Sequence, residues 1–461
     1  MKQRTVRLAT TGARIATGAV LAAACVAGAV ASVPAPWPEV RNSPAVTIVT
    51  PVPRDVVLVC NGAFRVLGRD ATQAGLMVSA APLRLRVDGA EDETTTAPLE
   101  MPDVTGGEGA QAIVGAVQNR SVPQIAAAES VQLSDEDAAG FAAAPCREPS
   151  LTSWLVGGDV STGASDIIIL SNPGEVTATV DLDVYGDERS ASTVVVPAKT
   201  QLGVPLASVA AGSRSPVVRV VSTGAPVRAA LQSTLVRTLD PVGIDLQDGV
   251  SGPQKTQVIL GARATPATEG DDAVGIVVRM LAPDADAQAT VQVRSAASGE
   301  SIDEYPIELT AATPAEISLA GLAEGAYDIE VSSTAPVVVG ARQTVRAGAE
   351  EDLAWSLPSP ELTADARTTF SVPSGAPATL YLRNPQPEAI TVRLEGADEQ
   401  VVQVDAGGIA AVALRAGGHT LTASGSVNAA IGMRGGDGSA AIAGWPLWPG
   451  AATQQPIVVR P

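Results

Sequence analysis

The sequence predicts an all-β protein behind a single N-terminal hydrophobic helix. Three observations lead there. Short runs rich in Val, Ile and Thr recur at roughly ten-residue spacing between Gly, Pro, Asn and Asp turns, which is sandwich patterning. One stretch, Asp166 to Gly186, returns twice as Gly275–Arg294 and Ala378–Glu395, anchored on Pro173, Pro283 and Pro385. The anchors lie about a hundred residues apart, the size of one β-sandwich, so three units in a row are expected.

Each repeat has a physical reading. Proline fixes φ, donates nothing to a ladder and drives the preceding residue out of the α region. Asn172 and Asn384 stand before two of these prolines, and Asn closes its own turn through its side-chain amide. A second signature follows in each unit, Gly224–Ser233, Thr334–Gln343 and Gly425–Arg434. Its small residues predict a strand pressed closely on a facing sheet. The units are placed at 150–256, 257–362 and 363–461, as immunoglobulin-like sandwiches that each bury their own core.

The N-terminus reads differently. Lys2, Arg4, Arg7 and Arg14 precede an uncharged run from Ile15 to Val33, just long enough to span a bilayer. The basic flank fits the positive-inside pattern. Ala29-Val-Ala31 offers a small-x-small cleavage site, so residues 1–45 are a retained anchor with its linker or an export signal cleaved near Ala31. Both place the remainder outside the cytoplasm. Trp37, between two prolines, is positioned to sit at the membrane interface if the helix is retained.

Formal net charge is −19, with 30 basic and 49 acidic residues, and four of the bases lie in the N-terminal flank. An acidic remainder argues against nucleic acid and anionic lipid heads as partners. Aromatics are only 3% of residues, so Val, Leu, Ile and Ala must fill the cores.

Residues 46–149 differ from the repeats and are expected to form a β-rich domain. Val56–Cys60 and Leu83–Val87 read as strands, Asp88 to Glu108 as an acidic loop, and Ser134-Asp-Glu-Asp137 as the capped start of a short helix. Cys60 and Cys146 flank this domain. An isolated cysteine pair in an oxidising compartment usually bridges, so a disulfide between them is expected.

The expected helix into Ala143-Ala-Pro145-Cys146, the Trp154-Leu-Val-Gly-Gly158 start and the Leu170-Ser-Asn-Pro173 turn resemble an uncharacterised family of actinobacterial exported proteins, a domain of unknown function. The resemblance implies one N-terminal hydrophobic segment, a β-rich ectodomain and a place in the cell envelope. It implies no activity and supplies no catalytic residues.

Signatures of chemistry are sparse. No Gly-x-Ser-x-Gly elbow, phosphate loop or Ser-x-x-Lys occurs. His419 is the sole histidine and reads as a surface residue in a turn entering a strand. The acidic groups at Glu91–Glu93, Asp135–Asp137, Asp271-Asp272 and Asp284/Asp286 lack a spaced calcium loop with a bidentate Glu and read as solvated turns. No cofactor and no metal site is expected. Trp445-Pro-Leu-Trp448-Pro449 is the one aromatic cluster. A polyproline backbone would put both indoles on one face as a platform for a sugar or a proline-rich peptide; folded inward, they would plug the last sandwich.

The expected function is that of a non-enzymatic, exported cell-envelope scaffold or binding module whose partner is an envelope protein or glycan. The alternatives are a glycan- or peptide-binding protein with an aromatic platform, and a carboxylate-dependent envelope enzyme.

Overall fold

The computed structural model describes residues 2–32, 47–49, 52–68, 76–89, 94–107, 109–119, 121–265, 275–347, 350–436, 438–450 and 457–459. Trp37 and the acidic groups at 91–93 and 271–272 lie outside the described residues. The chain divides into two units, which are taken separately.

The smaller unit holds residues 1–51 and 456–461. Its helix α1, Lys2–Ser32, contains the 19-residue stretch Gly12–Val30, long and apolar enough to cross a membrane. Residues 12–30 are exposed, as a lipid-facing helix would be in a structure without lipid. The strands Thr47–Val49 and Ile457–Val459 pair antiparallel, with Ile48 opposite Val458.

In the larger unit, Val52–Gln455, the regular structure among the described residues is strand apart from the one-turn helix Leu206–Val209. From residue 152 onward its strands form three pairs of facing antiparallel sheets. In the first pair the strands, one to eight, are Thr152–Leu155, Ile167–Asn172, Ala178–Tyr185, Ser190–Val196, Thr200–Pro205, Val217–Thr223, Arg228–Arg237 and Asp240–Asp248. One sheet has the order 1-6-3-4 and the other 5-2-7-8. Leu155, Val180 and Leu182 of one sheet and Ile168, Leu170 and Leu231 of the other share one buried cluster.

The second pair repeats this order. Its strands are Gln254–Ala264, Ile276–Leu281, Ala287–Ser295, Ser301–Leu309, Ala315–Ser318 and Glu350–Ser356, with the 23-residue strand Gly325–Ala347 serving as sixth in one sheet and seventh in the other. In the third pair the strands are Thr368–Val372, Ala378–Arg383, Ile390–Gly396, Gln400–Val404, Ile409–Leu414, Gly417–Ala423, Val427–Arg434 and Ile442–Pro446, again ordered 1-6-3-4 and 5-2-7-8. The short strand Glu361–Leu362 adds to its seventh strand.

Pro173, Pro283 and Pro385 all fall in the connection that crosses from strand two to strand three. Asn172 Nδ2 donates to the carbonyls of Val176, Val196 and Pro197, while its Oδ1 accepts from Gly174 N–H. Asn384 repeats the set on Glu388, Val404, Asp405 and Gln386 N–H. One amide thus satisfies the carbonyls of two turns, which only Asn has the reach and donors to do. Ala282 lacks that amide, and Asp286 Oδ1 instead accepts Ala311 N–H at 2.8 Å across the same two turns.

The described residues of 52–147 form three small three-stranded sheets. Two sequence expectations fail here. Thr94–Pro98 and Val104-Thr105, inside the expected acidic loop, are strands, as β-branched Thr favours when a partner edge is at hand. Ser134–Asp137 opens no helix: Asp135 N–H donates to Ala138 C=O in a hairpin turn, and Ala139–Pro145 pairs back on Ile125–Ser134. Tertiary packing overrides the cap, because the returning strand is buried on both faces. Phe141 and Ala143 join the core of the third sheet pair, and Ala142 and Ala144 join Ile244 and Leu246 of the first. The third core is therefore not its own alone.

The four pieces meet at Asp352, 1% exposed on the last strand of the second pair. Its carboxylate accepts N–H bonds from Phe141 (2.9 Å), Ile244 (3.2 Å), Leu353 (3.0 Å) and Ile442 (3.2 Å). Gly140 and Gly243 make room for it: a Cβ would lie 2.4 Å and 2.9 Å from Asp352 Oδ1, at φ of +140° and +139°. Gly243→Ala and Gly140→Ala are each expected to lower the unfolding free energy by about 2 kcal/mol or more, through strain and a displaced carboxylate. Denaturant melts of the two variants check this, and wild-type midpoints would contradict it.

Candidate functional site

The disulfide forms as expected. Cys60 and Cys146, with Cα atoms 4.4 Å apart, join the strand region Val56–Val59 to the end of Ala139–Pro145. Val59 and Arg147 exchange backbone hydrogen bonds beside it. Glu129 brings a carboxylate oxygen within 4.8 Å of both sulfurs, the one such cluster among the described residues. Sulfurs paired with each other offer no thiolate to a metal. Glu129 instead accepts Asn61 N–H at 2.6 Å and Gly62 N–H at 3.2 Å.

A groove opens on this region, between the first 150 residues and the third sheet pair, with a cavity of about 130 Å³. Its apolar wall includes Leu58, Ile125, Phe370 and the Trp445–Pro449 segment, and Arg147 and Glu148 supply charge. Burial pulls Arg147 down to about 10 and pushes Glu148 up, while Arg54 pairs with Glu148 at 3.0 Å. Arg147 lays its guanidinium 3.7 Å over the ring of Trp448. Arg147 and Glu148 were missed in the sequence; adjacency to Cys146 was their only signal.

The two tryptophans do not share one outward face. Trp445 lies in the last strand opposite Ile431, not in a polyproline segment, and is 5% exposed within the third core. Ladder pairing overrides the local preference of Pro446 for extended isolation. Trp448 lies beyond the strand, half-buried, and lines both this groove and a second cleft.

His419 departs from its expected surface position. It is 1% exposed, stacked on Phe370 at 5.2 Å, with Nε2 2.9 Å from the Arg415 carbonyl. Residues 417, 419, 421 and 423 of its strand face inward in turn, and the ring takes one of those places. Among the described acidic groups, Asp135–Asp137 is an exposed turn.

The buried carboxylates hold backbone. Asp166 accepts from Asp159 N–H, Thr234 N–H and the Ser233 hydroxyl, and Asp245 accepts Trp355 N–H at 2.8 Å. The Arg228 guanidinium binds Asp248 at 2.5 Å, Asn61 Oδ1 and the Pro145 carbonyl. Asp166 and Asp245 are engaged by structure, while Arg228 Nε, Asp248 Oδ2 and Asn61 Nδ2 have no partner among the described residues. The groove and cleft that meet at Trp448 offer room for a ligand, as does a cavity of about 830 Å³ beside Asp352.

Residues 103–438 match the family of unknown function DUF5719. The chain belongs to that family. The matched span runs through all three sheet pairs. A search of curated proteins found no match. A solved structure described as "Crystal Structure of Thermotoga maritima 1070" is similar over 22% of this chain and 94% of its own, at 15% identity and a TM-score of 0.21. A likeness of that size carries no argument.

Burial pushes Glu129, Asp166 and Asp245 up to about 7, against about 4 in an unfolded chain. Between those values the folded chain binds more protons than the unfolded one. Their stabilisation is full below about pH 4 and is lost as pH rises through about 7. The melting temperature is therefore expected to rise as pH is lowered from 8 to 5. A fall over that window contradicts the assignment.

Proposed function

We propose that this protein is an exported cell-envelope scaffold that binds its partner without catalysis, held by helix α1 or released after cleavage near Ala31. The observation that carries the reading is the Asp352 junction, where one buried carboxylate takes a backbone donor from each of four chain regions. Such a junction supports a rigid body rather than beads on a string. The apolar stretch Gly12–Val30 and the Cys60–Cys146 disulfide support a position outside the cytoplasm.

On this reading the sheet pairs are tandem sandwiches in the broad immunoglobulin-like sense of architecture. Their 1-6-3-4 and 5-2-7-8 orders differ from the ABED and CFG sheets of an antibody constant domain. The partner is an envelope protein or glycan. The glycan- or peptide-binding alternative rests on Trp448, half-buried where groove and cleft meet.

Export is tested by fusing the first 45 residues to a reporter enzyme active only outside the cytoplasmic membrane. Activity is expected, with the fusion either membrane-bound or shortened at its N-terminus. An inactive fusion that accumulates in the cytoplasm overturns the envelope assignment.

A further inference from the structure

We infer that the mouth of the central strand cluster is a docking site for a basic segment of a partner protein, one that presents arginine or lysine side chains. The inference rests on the binding-module reading above and gives its partner a chemistry and a place to bind.

The mouth follows from the topology. Ala139–Pro145, Asp240–Asp248, Glu350–Ser356 and Ile442–Pro446 pack in a ring, each against the next and the last against the first. Three of them are the eighth strands of their sheet pairs, so the links from the seventh strands meet at one end, beside the turn at Asp135–Asp137. Among these links lies a cavity of about 830 Å³, within the range of ordinary binding sites. Asp352 forms part of its wall. Polar side chains reach it from solvent: Ser134, Thr238, Asp240, Glu350 and Ser439 all line it and are exposed.

The free charges there are negative. The lining holds two guanidiniums, and both are committed to one acid. Arg237 lies 2.9 Å and Arg346 2.6 Å from the Glu351 carboxylate, whose side chain is only 7% exposed. Arg434, at the end of the third pair's seventh strand, pairs with Glu324 at 3.2 Å. Asp240 has no ion pair or side-chain hydrogen bond among the described residues. Glu350 takes only the Ala440 N–H, at 3.4 Å. Asp135–Asp137 adds acid on the adjoining turn. An anion would meet unpaired carboxylates and no free base, whereas a cation would find two partners.

The rim argues for a peptide rather than a bare cation. Arg237 pairs with Asp240 across the two-residue turn Thr238-Leu239. Thr238 takes a φ of +63°, which a glycine would adopt without strain, and Leu239 is 84% exposed. A β-branched residue in a glycine place and a bare leucine at the tip both run against folding preference. Together they set an apolar contact beside the free carboxylates, and a protein segment has side chains for both.

The full chain in detergent, titrated by calorimetry and NMR with a capped Ala-Arg-Leu-Arg-Ala peptide, tests the inference. Versions with Glu or Gln in place of Arg serve as acidic and neutral probes. The arginine peptide is expected to bind at micromolar to millimolar concentration, more weakly as salt screens the charges. Asp240→Asn with Glu350→Gln should weaken it about fivefold. The melting temperature should not change, because neither carboxylate holds a cation in the fold. Removing two exposed acids from other loops, Glu188→Gln with Asp284→Asn, should leave binding as it was, which separates the mouth from the overall charge of −19. No binding of the arginine peptide at millimolar concentration and low salt, equal binding of the acidic or neutral peptide, or equal loss in the two paired variants overturns the inference. Arginine-peptide binding indifferent to the mouth pair also overturns it, while sparing the binding-module reading. A failed export fusion with intact, mouth-dependent binding supports this site and overturns the envelope reading instead.

Discussion

Everything in the larger unit is referred to one carboxylate. Asp352 sits where the returning strand of the first 150 residues, the last strand of the first sheet pair and the last strand of the third all come within hydrogen-bonding distance. Removing it would leave several buried N–H groups unmet, each costing about 1–3 kcal/mol. A surface ion pair contributes about 0–1 kcal/mol. The central junction therefore outweighs the rim and contributes to the relative placement of the sheet pairs. Burial holds the carboxyl well above its usual range, against the pull of its four donors.

The same device recurs at the other seams. Arg279 of the second pair donates to the carbonyls of Val156 (3.3 Å), Gly158 and Pro216 (both 2.8 Å) from the first, stacks over Trp355 at 4.7 Å and is balanced by Glu316. Gln232 takes Arg65 N–H and returns a bond to the Arg65 carbonyl, bolting the first 150 residues to the first pair. In each case a charged or amide side chain captures backbone from a neighbour. Such contacts are directional, so they fix register and angle where apolar packing alone would let sheets slide. A frame of this kind keeps its clefts preformed.

Much of the fold was legible in the sequence. The alternation of Val180, Leu182 and Val184, the Asn172-Pro173 and Asn384-Pro385 turns, and the cysteine pair each encode a local preference that tertiary structure only confirms. The junction was not legible, because its donors are backbone groups of Phe141, Ile244 and Ile442, whose side chains say nothing about them. Asp352 itself reads as one acid among many in an acidic chain. The trace it leaves is Gly140 and Gly243, isolated glycines inside strands, which mark close approach of another group. Ser134–Asp137 misled for the converse reason: a sound local cap lost to a strand buried on both faces.

Of the candidate site, the sequence pointed to Trp445 and Trp448 but not to their separation. Ladder pairing took Trp445 into the core and left Trp448 at the surface. Hydrogen exchange of the full chain, wild type against Asp352→Ala, tests the central claim most directly. If Asp352 ties the pieces together, peptides containing Phe141, Ile244 and Ile442, far apart in sequence, should lose protection together and to a similar degree. Faster exchange confined to the strand around residue 352 would contradict it.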